Sequence, residues 1–388
     1  MGALPDEPSS RVPRGSAPAP RLLTELLQST GVCINGDRPW DMQMYDPSVY
    51  DRVLRDGSLG LGECYMAGLW DSAQLDETFT RLLSHDLDRR IHGLARLRFL
   101  ALWLSHVVTN RQSRARAFQV GEHHYDIGND VYAAMLDETL SSSCGYWAEA
   151  DDLATAQQAK LDLICRKLEL REGQDLLDIG CGWGALCRHA AVHYGARVTG
   201  ITVSKEQGRL AEERCAGLPV TIRLMDYRDL EGQFDHIVSV GMFEHVGPKN
   251  YRTFFRTVAR LLRDEGLFLL HTIGDAVTVP TPDPWVDRYI FPNGKTPSAQ
   301  QLARALEGVF LIEDWHNFGQ DYDRTLMAWW RRFDAAWPTL QPSYGDTFYR
   351  MWKYYLHSCA GFFRSRQGQL WQLVLTKRTH RGTYRSIR

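Results

Sequence analysis

The sequence predicts a doubly wound α/β sheet joined to a smaller, mainly helical N-terminal domain. Five apolar runs, at 175–180, 197–203, 220–225, 235–241 and 267–273, are short enough for buried strands. Helical patterns at 185–194, 205–216 and 250–263 lie between them, the alternation that builds a parallel sheet with right-handed crossovers. Before about residue 110 the apolar residues fall into short helical stripes instead. At 388 residues the chain has room for two domains, and 44% apolar with 24% charged residues is ordinary for a soluble globular protein.

Taken in order, residues 1–20 are rich in Pro, Ser and Ala and lack the apolar stretch of a signal peptide. They are expected to be disordered, and Val12-Pro13-Arg14-Gly15-Ser16 resembles a vector-derived protease site. Residues 21–110 form the expected N-terminal domain. Leu22, Leu23, Leu26 and Leu27 make one helical stripe and Leu75, Phe79, Leu82 and Leu83 another, with Gly57-Ser58-Leu59-Gly60-Leu61-Gly62 read as a glycine-rich turn between them. Ile91 to Val108 is too polar to span a bilayer, since it holds Arg96, Arg98, His92 and His106. It fits a core helix by default and an interfacial helix as the alternative. An Arg-rich linker, 111–122, precedes the larger domain, 123–388. There Asp152 is placed to cap a helix whose apolar face carries Leu161, Ile164 and Leu168. Two aromatic helices (Asp323 to Trp337, Tyr344 to Phe363) and a strand from Leu370 to Lys377 complete the pattern.

The net charge of −2 conceals two basic zones, Arg81 to Arg116 and the stretch after Asp346, which contains no acidic residue. Such zones suit phosphate, on nucleic acid or on an anionic bilayer, or serve as solvated faces. Eight cysteines without a C-x-x-C pair or Cys/His metal spacing read as reduced thiols in a cytoplasmic protein, and no metal site is expected.

Ligands of such a sheet bind beyond the carboxyl ends of the strands. After the first strand comes Asp178-Ile179-Gly180-Cys181-Gly182-Trp183-Gly184, where a sharp turn opens a helix whose free N–H groups face the ligand. The G-x-G-x-G spacing departs from the dinucleotide G-x-G-x-x-G, and the next strand ends in Thr202-Val203-Ser204-Lys205 without an acid, which disfavours NAD. The D-x-G-x-G-x-G form resembles the first motif of S-adenosylmethionine (SAM) methyltransferases. Thr202, Ser204 and Gln207 are neutral groups suited to a ribose; Asp226 suits an adenine amino group and the Tyr227 ring can stack. Glu244 and His271 end the fourth and fifth strands and converge on one crevice.

Longer motifs carry a more specific resemblance, spanning about Arg21 to Leu375. They are Gly57 to Met66, His124-Tyr125-Asp126-Ile127-Gly128-Asn129-Asp130, Ser143-Cys144-Gly145-Tyr146-Trp147, the glycine loop, Gly241-Met242-Phe243-Glu244-His245-Val246-Gly247, Leu270-His271-Thr272-Ile273-Gly274 and Phe318-Gly319-Gln320-Asp321-Tyr322-Asp323. On these the chain resembles the cyclopropane-fatty-acyl-phospholipid synthases, SAM-dependent enzymes of the class I methyltransferase fold. The resemblance implies methylation of a cis double bond in a phospholipid acyl chain, followed by proton loss and ring closure. It implies that bicarbonate, the base, is held at Cys144, Glu244, His271, Ile273 and Tyr322, with Cys359 lining the pocket. Ser142 and Ser143 join the glycine loop, Thr202, Gln207, Asp226 and Tyr227 as SAM contacts; Ser142 stands where the family often has an aromatic residue. Tyr125, Tyr146 and Phe243 are expected to wall the substrate slot, as aromatic faces stabilise a carbocation. The implied partner is an unsaturated phospholipid bilayer, met peripherally at the inner membrane surface by a homodimer whose N-terminal domain docks lipid. No nucleic acid is expected, since nothing resembles an RNA-binding module. Relatives that make methyl-branched or hydroxylated lipids or methylate a small amine, and a non-catalytic lipid-binding scaffold, are the alternatives.

Overall fold

The computed structural model describes residues 18–85 and 128–388. The proposed helix at 91–108, the linker, Tyr125, most of the first basic zone and nearly all of the N-terminal segment lie outside them. In the N-terminal region α1 (Arg21–Gln28), α2 (Ser48–Asp56), α3 (Ser58–Met66) and α4 (Leu75–Leu83) surround a two-stranded pair, β1 (Gln43–Met44) and β2 (Trp70–Asp71). The glycine-rich segment expected as a turn is helix α3. Its glycines permit contact instead of a bend. A Cβ on Gly60 would lie 2.8 Å from the Arg52 carbonyl carbon, and one on Gly62 would lie 2.5 Å from Nε1 of the buried Trp285 ring. Close packing here outweighs the poor intrinsic helix propensity of glycine.

The remaining chain begins with α5 (Asn129–Met135) and α6 (Leu153–Lys167), the latter capped by the Asp152 carboxylate, which accepts from the Thr155 N–H at 3.0 Å. Then follow β3 (Asp175–Ile179), α7 (Ala185–Tyr194), β4 (Arg197–Thr202), α8 (Lys205–Arg214), β5 (Val220–Leu224), β6 (Phe234–Val240), α9 (Tyr251–Leu261) and β7 (Leu262–Asp275). The chain continues through α10 (Pro284–Tyr289), α11 (Ala299–Leu306), β8 (Leu311–Asn317), α12 (Gln320–Arg364) and β9 (Gly368–Thr376). The sheet order is β5-β4-β3-β6-β7-β9-β8, parallel from β5 to β7, with β9 and β8 added antiparallel. The two expected aromatic helices are both present: α12 comprises two helices that meet at a kink at Gly345, which has φ 71°. The edge strand β8 has no counterpart in the expected elements.

Residues 18–85 share an aromatic core with α12 and α10: Tyr65, Trp70, Phe79, Trp285, Trp352 and Tyr354 belong to one cluster. Ion pairs seal the contact. The Arg364 guanidinium bridges Asp76 of α4 at 2.8 Å and Asp323 of α12 at 2.8 Å, and Arg350 reaches Asp71 at 2.9 Å. These residues come from the second basic zone, as do Lys377, paired with Asp264, and Arg388, paired with buried Asp314. Part of that zone is therefore spent inside the fold, while Arg378, Arg381 and Arg385 stay exposed.

Candidate active site

The carboxyl ends of β3, β4, β6 and β7 open on one side of the sheet. After β3, Gly180, Gly182 and Gly184 all adopt positive φ (89°, 54° and 80°), the region that favours glycine. Around Gly182 a Cβ would meet no atom of the described residues within 4 Å, space in which a close-fitting ligand can lie against backbone. The Gly180 and Cys181 N–H groups both donate to the Ile201 carbonyl, at 2.9 and 3.0 Å, which pins the loop to β4. Trp183 is buried against Tyr132, ring centroids 5.1 Å apart. Asp178 is buried on β3, accepts from the Cys187 thiol at 3.5 Å and leaves Oδ1 without a partner among the described residues. Desolvation pushes its carboxyl up to about 7.

At the end of β4, Thr202 and Gln207 are buried side by side, the hydroxyl 3.5 Å from the Gln207 carbonyl oxygen. Asp226 follows β5, and its carboxylate accepts from the Arg228 N–H at 2.9 Å. Tyr227 departs from the expected stacking role. Its ring is buried edge-on against Phe254 at 5.2 Å, with Arg228 over one face at 5.0 Å, because the aromatic core beneath β5 claims it. Phe243 is corrected for the same reason: it stacks on Tyr251 at 4.4 Å and packs on Phe254 and Phe255, so it belongs to the core and not to a slot.

Glu244, in the 3-10 turn after β6, is buried; Oε1 accepts from the Ile273 N–H at 2.7 Å and Oε2 has no partner among the described residues. Desolvation raises its pKa from the ordinary 4.5 to about 7, against the lowering effect of the Ile273 hydrogen bond. His271 on β7 pairs with Val240 of β6 in the register. Its Nδ1 accepts from the Gln372 amide at 3.2 Å, which leaves the ring proton on Nε2, and Nε2 has no partner among the described residues. Burial holds the imidazole neutral, its pKa driven well below the usual value. The site thus offers one buried acceptor and one buried donor, at two adjacent strand ends, that no other described residue satisfies. Such atoms are costly unless something bound satisfies them.

Tyr322, two residues into α12, is buried and stacks on Phe363 at 4.5 Å. Desolvation raises its hydroxyl pKa, and the fields of Cys144, Glu244 and Cys359 add to that shift, which places these four groups in one neighbourhood. Cys359 is pushed up to about 12 by burial, a neutral thiol and a poor nucleophile. Cys144 is buried, its thiol on the Gly145 carbonyl at 3.1 Å. Tyr146 meets Phe318 and His316 edge-on at 5.3 and 5.7 Å, and Phe318 in turn meets His271 at 5.9 Å. Ser142 is exposed and Ser143 buried. Four residues that sequence reasoning missed support this shell. Lys160, fully buried with its pKa lowered to about 8 by desolvation, donates to Ser143 Oγ at 3.0 Å. Gln157 donates to the Ser143 carbonyl at 2.8 Å, Gln372 orients His271, and Thr325 anchors the loop after Cys144. The signal for Gln157 and Lys160 was a pair of polar residues on the apolar face marked by Leu161 and Ile164.

Among the described residues no group of three or more His, Cys, Asp or Glu side chains is placed to hold a metal, and no helix is long and apolar enough to cross a membrane.

Comparison with known proteins agrees with this geometry. The family model described as mycolic acid cyclopropane synthetase matches residues 112–373. The cyclopropane-fatty-acyl-phospholipid synthase of Escherichia coli strain K12 is 52% identical over 364 residues, covering 93% of this chain and 94% of that one. Among solved structures, the cyclopropane synthase MmaA2 from Mycobacterium tuberculosis matches at 30% identity with a TM-score of 0.63, over 67% of this chain and 98% of that one. The mycolic acid cyclopropane synthase CmaA1, complexed with SAH and CTAB, matches at the same identity, coverage and TM-score (30%, 67% and 98%, 0.63).

Proposed function

The chain belongs to the mycolic acid cyclopropane synthetase family, and from that premise we propose that it is a SAM-dependent cyclopropane synthase acting on cis-unsaturated phospholipid acyl chains. One observation carries the reading: Glu244 Oε2 and His271 Nε2, without partners among the described residues, lie at the ends of adjacent strands, one strand away from the glycine cradle at Gly182.

An alkene is a weak nucleophile, so the reaction depends on holding it in line with the methyl of SAM in a dry site. The glycine loop brings bare backbone against SAM, with Thr202 and Gln207 at the next strand end. Methyl transfer forms a carbon–carbon bond, releases S-adenosylhomocysteine and leaves a positive charge on the acyl chain. The transferred methyl then loses a proton, and that electron pair closes the ring. Phe318, whose ring centroid lies 5.9 Å from that of His271, offers aromatic surface that favours a cation and excludes water.

The residues fit a bicarbonate ion. Glu244 Oε2 would accept its O–H and His271 Nε2–H would donate to another oxygen, with the buried Tyr322 close enough to feel the Glu244 charge. When bound, bicarbonate supplies the proton acceptor. The chain's own part is orientation: Ile273 N–H fixes one Glu244 oxygen, and Gln372 fixes the imidazole. Exposed Arg378, Arg381 and Arg385 lie in the segment packed at the amino ends of β6 and β7, away from the site, so peripheral docking on an anionic bilayer rests on the first basic zone, Arg81 to Arg116.

The test is transfer of a labelled methyl from SAM to vesicles of cis-unsaturated phospholipid, with and without bicarbonate. Label in the acyl chain that rises with bicarbonate supports the reading. Label that stays in SAM, or a rate indifferent to bicarbonate after thorough depletion, overturns the catalytic or the base assignment respectively.

A further inference from the structure

The segment from Cys144 to Ala150 is irregular and largely buried, so its backbone groups need partners that no sheet or helix ladder supplies. The Tyr146 N–H donates to the Ala156 carbonyl of α6 at 2.8 Å, and partners for Gly145, Trp147 and Ala150 come from one face of α12. The Asp321 carboxylate accepts from the Trp147 N–H at 2.7 Å, and Arg324 donates to the Trp147 and Ala150 carbonyls at 3.3 and 3.2 Å. At the centre is Thr325, completely buried. Its hydroxyl oxygen accepts from the Gly145 N–H at 3.1 Å and from the Trp147 indole N–H at 2.8 Å, and donates its own proton to the Asp321 carbonyl at 2.9 Å. The Cys144 thiol lies 3.7 Å away. A hydroxyl has one proton and two lone pairs, so these bonds use its whole capacity.

Thr325 also follows Tyr322 by three residues, one turn along the same helix face. We propose that Thr325 is a positioning residue for ring formation: its hydroxyl fastens the Cys144–Trp147 loop to the helix that carries Tyr322, and so sets the separation of two walls of the site. The inference rests on the cyclopropane reading for its consequence, though not for its geometry. Ser143 is held independently by Lys160 and Gln157, so the SAM side of the loop has its own anchor. Loss of the Thr325 oxygen should therefore disturb the chemical step and spare SAM affinity. A loosened wall would also let water reach the carbocation, giving the methylated alcohol and a released proton instead of the ring.

The experiment compares Thr325→Val, which keeps the shape and removes the oxygen, with Thr325→Ser, which keeps the oxygen. Thr325→Val is expected to lower kcat by about tenfold or more with the SAM dissociation constant within about twofold, and to raise the fraction of uncyclised methyl product. Thr325→Ser should restore kcat to within about threefold of the wild type. Trp147→Phe, which removes the indole donor together with part of a buried ring, should lower kcat by a smaller factor, because it breaks one of the three bonds that Thr325→Val breaks, and its effect should be smaller in the Thr325→Val background than in the wild type. If Thr325→Val does not fold, the product ratio of Trp147→Phe decides. Hydrogen exchange over residues 141–150 tests the anchor without reference to any reaction: it should accelerate in Thr325→Val and stay protected in Thr325→Ser. Unchanged kcat, product ratio and exchange in Thr325→Val would overturn the proposal, as would a serine variant as impaired as the valine one. A wild type that transfers no methyl to lipid would defeat the cyclopropane reading alone, and the exchange result would still judge the anchor.

Discussion

Glu244 is placed where function and stability pull in opposite directions, and Glu244→Gln separates them. Its folded pKa of about 7 lies above the ordinary 4.5, because burial disfavours the charged form. A group with a raised folded pKa contributes stability below the unfolded value and loses it as pH climbs to the folded one. The loss therefore runs from about pH 4.5 to about pH 7, the two values just given. The shift corresponds to roughly 3 kcal/mol above pH 7. Glutamine keeps an acceptor for the Ile273 N–H and carries no charge, but it places an unpartnered N–H where Oε2 stood, a cost of about 1 kcal/mol. The variant should accordingly be about 2 kcal/mol more stable than the wild type at pH 8 and no more stable at pH 5. Ring formation should fall by about a hundredfold or more, since the amide cannot accept the O–H that the carboxylate does. Urea unfolding without SAM at both pH values, paired with lipid product analysis, measures both effects. A variant less stable than the wild type at pH 8 would refute the desolvation argument, and undiminished cyclopropane would refute the role of Oε2.

Three further outcomes follow from the same geometry. Gly182→Val should abolish SAM binding by calorimetry while circular dichroism stays native, because the side chain enters space open in the protein at a φ of 54°; equal affinities would remove the loop from the site. Gly62→Ala should destabilise by about 1–2 kcal/mol, as a methyl 2.5 Å from Trp285 Nε1 costs more than the helix gains, whereas Gly208→Ala, with Thr202 Cγ2 at 3.4 Å, should stabilise slightly. Similar unfolding midpoints for these two variants would contradict that packing argument. Vesicle co-sedimentation should favour anionic lipid, weaken as salt rises and weaken further in Arg111/Arg114/Arg116→Ala, at about 1 kcal/mol per residue; binding indifferent to all three would leave only a hydrophobic encounter.

The parallel sheet was legible because β3, β4, β6 and β7 are buried and read as apolar runs bounded by turns. The strand β8 was not: Leu311-Ile312-Glu313-Asp314-Trp315-His316-Asn317 is a half-exposed edge whose polar residues mask it. Glycines misled at α3, since local signals say turn and only the distant Trp285 and the Arg52 carbonyl explain a helix. At the site, Glu244, His271 and the glycine loop were readable from their positions at strand ends. Thr325 was not, because the groups that give it a role stand about 180 residues away in the chain. Tyr227 and Phe243 were misassigned for the converse reason: an aromatic after a strand can face the ligand or the core, and the pattern is the same for both.

The most direct test of the whole account is the structure of the lipid product. Full-length protein, SAM, bicarbonate and vesicles of a phospholipid with one cis double bond should yield an acyl chain heavier by one CH2, about 14 Da. The alkene resonances should be lost and cyclopropane proton resonances gained, as expected for methyl transfer followed by proton loss. A methyl-branched chain that keeps its alkene, a methylated alcohol as the main product, or an unmodified chain despite tight SAM binding would contradict it.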